Sequence, residues 1–184
     1  MANADAAFGL VPIRHMSGAT IRMNPYTITS ALAENIFNGD LCIITSGGVV
    51  TPHTATEVNN IGVFGGVNYT AADGSYVYSE YWPSGTTATD IVALIYDDPQ
   101  IVYKCQSAGT PAQTNIGNCC DMVAGAGSTL TGQSGFELSG TMAAGTATCK
   151  IIALHNSPDN AFGANAVMEV IISEHLLGNN VAGI

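Results

Sequence analysis

The chain is short of charge, and of positive charge above all. Four of its 184 residues are Lys or Arg, and charged residues of both signs make up 10% of the sequence against 47% hydrophobic ones. Free globular domains carry about 25% charged residues. A surface this poor in charge is expected to lie against other protein over much of its area, as in a coat or assembly component. The formal net charge is −10, and the basic residues Arg14, Arg22, Lys104 and Lys150 are scattered. Phosphate affinity comes from clustered Lys and Arg, so a nucleic-acid partner is not expected. The acidic balance disfavours an anionic membrane in the same way.

Long apolar runs are also missing. Ile91 to Tyr96 and Val170 to Ile172 fall far short of the ~20 residues that cross a bilayer. The opening Met1-Ala-Asn-Ala-Asp-Ala-Ala-Phe-Gly has no basic stretch ahead of an apolar one. A secretory signal is therefore not expected, and the chain should be made in a cytoplasm and stay soluble. The five cysteines, Cys42, Cys105, Cys119, Cys120 and Cys149, contain no C-x-x-C spacing. In a reducing compartment they read as small buried hydrophobes. Zinc held by Cys119, Cys120 and a distant histidine would ask two adjacent residues to chelate one ion, a poor arrangement.

Recognisable catalytic spacing is absent as well. Gly127-Ser-Thr-Leu-Thr-Gly132-Gln133-Ser134 has the glycine spacing of a phosphate loop but carries Gln133 in place of the lysine that meets the phosphates. It reads as a Gly/Ser turn. The neighbouring Gly132-Gln-Ser134-Gly135 is one glycine out of register for a nucleophile elbow. His15, His53, His155 and His175 lie far apart, none in the H-x-x-x-H spacing of a metal site on one helix. Asp97, Asp98 and Asp121 would bind calcium only if folded together, and a solvated turn is the simpler reading of the first two. Asn68-Tyr-Thr70 is a glycosylation sequon without meaning in a cytoplasm. No catalytic residue, cofactor or metal ligand is assigned, and the chain is not read as an enzyme.

What is present is β-structure punctuated by turns. Leu41 to Thr45 meets Val49 to Thr51 across Ser46-Gly47-Gly48. Ile61 to Tyr69 and Tyr76 to Trp82 flank Asp73-Gly74, a hairpin signal that favours positive φ. Ile91 to Tyr96 and Ile101 to Gln106 flank Asp97-Asp98-Pro99, where proline presets φ and aspartate caps the bend. Residues 107–145 are rich in Gly, Ser and Thr and read as a long contact loop with short strands. Thr146 to His155 and Ala166 to Glu174 close the chain around Asn156-Ser-Pro-Asp-Asn160. Ser30 to Asn38 is the one candidate helical turn. The expected class is all-β, a single barrel or sandwich, jelly-roll-like or β-tulip-like, over residues 26–184. Residues 1–25 show no sustained period and are expected to form an extended arm. Alternation along the aromatic strand puts Tyr76 and Tyr78 on one face with Trp82, a subunit contact, a core face or a sugar platform.

Three segments together are similar to a family of virion structural proteins from tailed phages of marine and freshwater bacteria. They are the opening Met1 to Gly18, the block Gly125-Ala-Gly-Ser-Thr-Leu-Thr-Gly-Gln-Ser-Gly-Phe-Glu-Leu138, and Asn156 to Asn160 followed by Val167 to His175. The opening is the most specific, and the resemblance covers most of the chain. In that family a basic residue often stands where this chain has Gln133. The resemblance implies a capsid decoration, or cement, protein, trimeric on the outside of the head and bound to the major capsid protein. Threefold positions of an icosahedral shell suit such a trimer. Phe8, Pro12, Arg14, His15, Tyr76, Tyr78, Trp82, Gln133 and Phe136 are the expected capsid or trimer contacts. A tail or minor head component and a carbohydrate-binding β-module are the alternatives.

Overall fold

Short apolar runs between turn residues become strands, thirteen of them among the residues described, 3–54 and 57–178 of a computed structural model. One open sheet has five strands: β1 (Val11–His15), β8 (Ile101–Gln106), β13 (Val167–Ile172), β12 (Cys149–Leu154) and β9 (Cys119–Cys120), in that spatial order. A second runs β2 (Asn24–Tyr26), β7 (Ala88–Tyr96), β5 (Asn60–Ala71), β3 (Leu41–Ile44) and β4 (Val50–Pro52), with β6 (Tyr76–Ser79) also paired to β5. β10 (Met122–Val123) and β11 (Glu137–Leu138) make a small hairpin-like pair. Every ladder is antiparallel. The all-β expectation holds, in a sandwich-like arrangement.

Burial follows from place in the sheet. Along β13 Met168, Val170 and Ile172 are buried and their neighbours half-buried, the period of two that a strand imposes. Central β5 is covered on both sides and buries eight consecutive residues, Asn60 to Val67. One core packs Leu41 and Val63 of the second sheet against Tyr103, Ile151 and Val170 of the first. Another packs Phe64, Val67 and Ile95 under Ile28, Ile36 and Trp82, which come from the loops over the second sheet. The prolines that lie within strands, Pro12, Pro25 and Pro52, are on β1, β2 and β4, the edges, where a missing N–H costs no ladder bond.

The turn chemistry works as read. Ser46-Gly47-Gly48 joins β3 to β4, with Ile44 opposite Val50. At the β5–β6 hairpin Gly74 takes φ 85°, and the Asp73 carboxylate accepts from the Ser75 amide (2.9 Å) and hydroxyl (2.6 Å). The Asp97-Asp98-Pro99 bend does more than reverse the chain: it carries it from β7 in one sheet to β8 in the other. Asp98 caps that bend by accepting from the Gln100 amide at 2.8 Å.

Two expectations are corrected. Residues 1–25 are not an arm outside the core, insofar as they are described. β1 and β2 close an edge of each sheet, and Leu10 is 1% exposed inside the main core. Strands of five and three residues are too brief to display a period. Ser30 to Asn38 is not helical. Ala31 has φ 61°, and the segment's hydrogen bonds go outward, Ile36 exchanging both backbone bonds with Trp82 (3.1 and 2.8 Å) and Asn38 donating to Gly132 (2.9 Å). The helical turn that does form among the described residues is the 3-10 segment Gln113–Asn115.

Candidate contact face

The N-terminal segment ahead of β1 is strapped to the first sheet by one buried side chain. Gln106 donates from Nε2 to the Ala4 carbonyl (2.6 Å) and the Asn165 carbonyl (3.2 Å), and its Oε1 accepts from the Ala6 amide (3.0 Å). Asn3 extends the strap: its Nδ2 donates to Ala161 and Ala164 (2.9 and 2.8 Å), and its Oδ1 accepts from the Ala161 amide. Gly9 ends the strap at φ 74°, where a Cβ would lie 2.5 Å from the Gly39 carbonyl oxygen. Glycine alone fits there. Between these anchors Phe8 is held half-buried, with the Lys104 ammonium 5.8 Å from its ring centroid, a cation–π distance.

Phe8 is the centre of a face. Three shallow hollows share it. One, of about 350 Å3, adds Val11, Asn38, Glu80, Thr131 and Gln133. A second, also about 350 Å3, adds Ala6, Ala7, Lys104 and Gln133. The third, about 210 Å3, runs over Lys104 to His155, Asp159 and Asn160. Neutral residues such as Asn38, Thr131, Gln133, Ala6 and Val11 line this surface together with the charged Glu80, Lys104 and Asp159. Replacing Gln106 with alanine is expected to free the strap, costing about 1–2 kcal/mol and speeding hydrogen exchange at the Ala6 amide. Unchanged exchange there would show that the strap is held by other contacts.

The expected contact residues divide. Phe8 and Gln133 are brought together in this face. Pro12 is half-buried on β1, beside it in sequence. Arg14 is exposed but paired with Glu169 at 2.8 Å. His15 is closed off: its side chain is 5% exposed, Nδ1 accepts from the Ser17 amide, and Nε2 donates to Asp98 at 3.0 Å. Burial opposes the charge on Asp98, yet the Gln100 amide and His15 hold its carboxyl below the ordinary value. Tyr76 and Tyr78 are exposed on β6 but line none of the three hollows.

Trp82 and Phe136 are corrections. Trp82 is fully buried, edge-on to Tyr69 at 5.4 Å. The alternation that placed it beside Tyr76 and Tyr78 breaks at Ser79, whose hydroxyl donates to the Tyr81 carbonyl and accepts from its amide. Phe136 is 4% exposed in the main core, carried inward where the chain enters β11. Sequence reasoning missed Val11, Asn38, Glu80, Lys104 and Thr131. Lys104 carried a signal, being one of four basic residues and standing alone in the apolar run of β8.

The phosphate-loop-like stretch is a closed turn. Four of its amides are spent within it, Ser128 donating to the Gln133 carbonyl (2.9 Å), Gly132 to the Ser128 carbonyl (2.7 Å), Thr131 to the Ser128 hydroxyl and Gln133 to the Thr131 hydroxyl, while Ser134 donates to the Asn38 carbonyl. Leu130 stands 93% exposed at its tip. Cys42, Cys105, Cys120 and Cys149 are buried and unpaired, and Cys119 is half-buried. Burial pushes the Cys120 thiol up to about 12 and raises those of Cys42, Cys105 and Cys149. Such thiols are packing groups, not nucleophiles. Among the described residues no three His, Cys, Asp or Glu side chains form a metal cluster, and no helix is long and apolar enough to cross a membrane. No known protein family, curated protein or solved structure matches the chain.

Proposed function

We propose that the chain is a non-enzymatic structural protein that docks on another protein through the face around Phe8. The resemblance of its opening, glycine-rich and closing segments makes that partner the major capsid protein of a tailed phage. The chain then sits on the outside of the head as a homotrimeric decoration protein. The observation that carries the docking reading is the convergence of three shallow hollows on one strapped aromatic, with Glu80, Lys104 and Asp159 as the charged residues of their linings. Shallow neutral surfaces gain from buried apolar area, roughly 25 cal/mol per Å2, and from hydrogen bonds, with little dependence on salt. The net charge of −10 speaks against nucleic acid as the partner.

The test is genome release on heating particles stripped of this protein, with and without its return, at low and high salt. Added protein is expected to raise the release temperature at both salts, because a component bound only to the assembled shell stabilises it by mass action. Phe8→Ala is expected to weaken rebinding about tenfold or more, as loss of a central aromatic does. No shift at saturating occupancy would overturn the decoration role. A copy number of a few tens per particle, rather than one near that of the shell, would reassign the chain to a tail or minor head position.

The exposure of Tyr76 (72%) and Tyr78 (55%) on one strand favours a second reading, a glycan-binding β-module. Affinity for a free oligosaccharide, lost in Tyr76→Ala and Tyr78→Ala but kept in Phe8→Ala, would establish it in place of the first.

A further inference from the structure

A separate hollow of about 390 Å3 lies between residues 33–37, the end of β4 and the glycine-rich segment 124–127, and shares no lining residue with the hollows around Phe8. Its walls are apolar: Phe37, Pro52, Ala124, Ala126 and Phe136. Phe37 stacks on Tyr81 at 5.4 Å and sits so close over Gly127 that a Cβ there would lie 2.2 Å from its ring. Two buried polar side chains also line the hollow, Asp40 (2% exposed) and His53 (1% exposed).

Each has one atom that makes no hydrogen bond of normal geometry, with the Ser134 hydroxyl near the Asp40 carboxylate. Asp40 Oδ2 accepts from the Phe37 amide at 2.8 Å, while Oδ1 has no bond of normal geometry. His53 Nδ1 lies 2.8 Å from Asn60 Oδ1. The Asn60 Nδ2 is already donating to the Glu57 and Glu174 carbonyls, so Oδ1 is the acceptor and His53 Nδ1 carries the proton. His53 Nε2 is therefore a bare lone pair, and it too has no partner. Unsatisfied buried polar atoms cost about 1–3 kcal/mol each and call for an explanation. Both orphans here are acceptors, and among the described residues no Lys or Arg lines the hollow, whereas Glu34 does.

A shallow hollow with apolar walls, lined also by a buried carboxylate and a neutral imidazole, fits a donor on an alkyl stem. A divalent metal wants more ligands than two. A lysine ammonium is a compact charge with three N–H donors on four methylenes that bury well against Phe and Pro. We propose that this hollow is a socket for a lysine side chain of the protein partner, the stem held between Phe37 and Pro52 and the ammonium donating to Asp40 Oδ1 and His53 Nε2. The state of Asp40 agrees: burial, offset in part by the Phe37 amide and the Ser134 hydroxyl, raises its carboxyl to about 6, as for a carboxylate without a counter-ion. Since the orphan atoms are covered, entry needs a local displacement of the walls. The proposal deepens the docking reading by naming a side chain that the partner supplies. Its test uses the free protein, so either reading can fail alone.

The probe is Nα-acetyl-lysine N-methylamide, titrated into the labelled protein and followed by amide and imidazole shifts. Saturable shifts are expected at Phe37, His53 and Gly127, and none at Phe8 or Gln133, with the millimolar affinity usual for so small a ligand. The norleucine derivative, which lacks the ammonium, is expected to bind about tenfold more weakly. Asp40→Asn should weaken the lysine probe by about the same factor and leave the norleucine one unchanged. Should Asp40→Asn fail to fold, the two probes on the unaltered protein decide, together with the rim variant Glu34→Gln, which should weaken the lysine probe about twofold. Equal binding of the two probes, an arginine derivative binding better than lysine, or no saturable shift would overturn the socket.

Discussion

Replacing Asn60 with leucine is expected to remove about 3–5 kcal/mol of stability, a large share of the 5–15 kcal/mol typical of a domain. The residue is fully buried where β5 begins, and its side chain joins three segments. Oδ1 accepts from His53 at the end of β4, and Nδ2 donates to the Glu57 carbonyl (3.2 Å) and the Glu174 carbonyl (3.0 Å). The Asn60 carbonyl also accepts from the Leu176 amide at 2.7 Å, so the segment after β13 of the first sheet is tied here to the second. Leucine keeps the branching of asparagine with bulkier methyls, so no cavity opens; what is lost is the acceptor nearest the buried His53 imidazole N–H, which otherwise has Glu57 Oε2 at 3.5 Å, and the donor to the Glu57 and Glu174 carbonyls. Urea unfolding should show a lower midpoint with an unchanged slope. A loss under 1 kcal/mol would mean that water or backbone movement replaces these bonds, and the two-sheet junction would have to be held otherwise.

That junction shows why parts of the molecule were legible in the sequence and others were not. The hairpins at Ser46-Gly47-Gly48 and Asp73-Gly74, the bend at Asp97-Asp98-Pro99 and the closing strand pair each depend on turn residues and alternation within a few positions. Local signals of that kind survive in the sequence, and the all-β class follows from them. β1 and β2 left no such trace, being five and three residues long at sheet edges. Their inclusion in the fold rests on partners about 70–90 positions away, as with Val11 opposite Lys104 and Asn24 opposite Ile95. Trp82 shows a different failure, since one hydroxyl-mediated bend at Ser79 reverses which face the next residues present. The candidate face is less legible still. Phe8, Asn38, Glu80, Lys104 and Gln133 come from five separate stretches, and only the packed sheets bring them together. Phe8 and Gln133 were named from a family resemblance, not from any pattern that foretold their meeting.

The second large effect expected is a stability profile that stays nearly level from pH 7 to about 4.5 and becomes steep when one residue is changed. Burial pushes the His175 imidazole down to about 4, against nearby Asp97 and Asp98, which favour its charge. The unfolded chain takes up that proton near pH 6.5 and the folded chain only near 4, so His175 contributes a loss of stability as pH falls through this window. The full shift corresponds to about 3 kcal/mol. Burial lowers His53 as well, adding a loss of the same sign. Asp40 runs the other way. Its carboxyl is raised to about 6, so the folded chain binds a proton before the unfolded one does and gains about 3 kcal/mol as pH falls from 6 to below 4. The two contributions oppose each other over nearly the same range, with His53 tipping the balance toward loss in acid. Asp40→Asn removes the compensating gain, and its stability should fall by about 3 kcal/mol between pH 6.5 and 4. His175→Asn removes the opposing loss while keeping an oxygen to accept the Leu177 amide, so its profile should be more favourable on acidification than that of the unaltered chain. Denaturation midpoints of the three proteins at half-unit steps of pH measure this directly. Parallel profiles would show that neither buried group changes its proton affinity on folding, and the compensation would be abandoned.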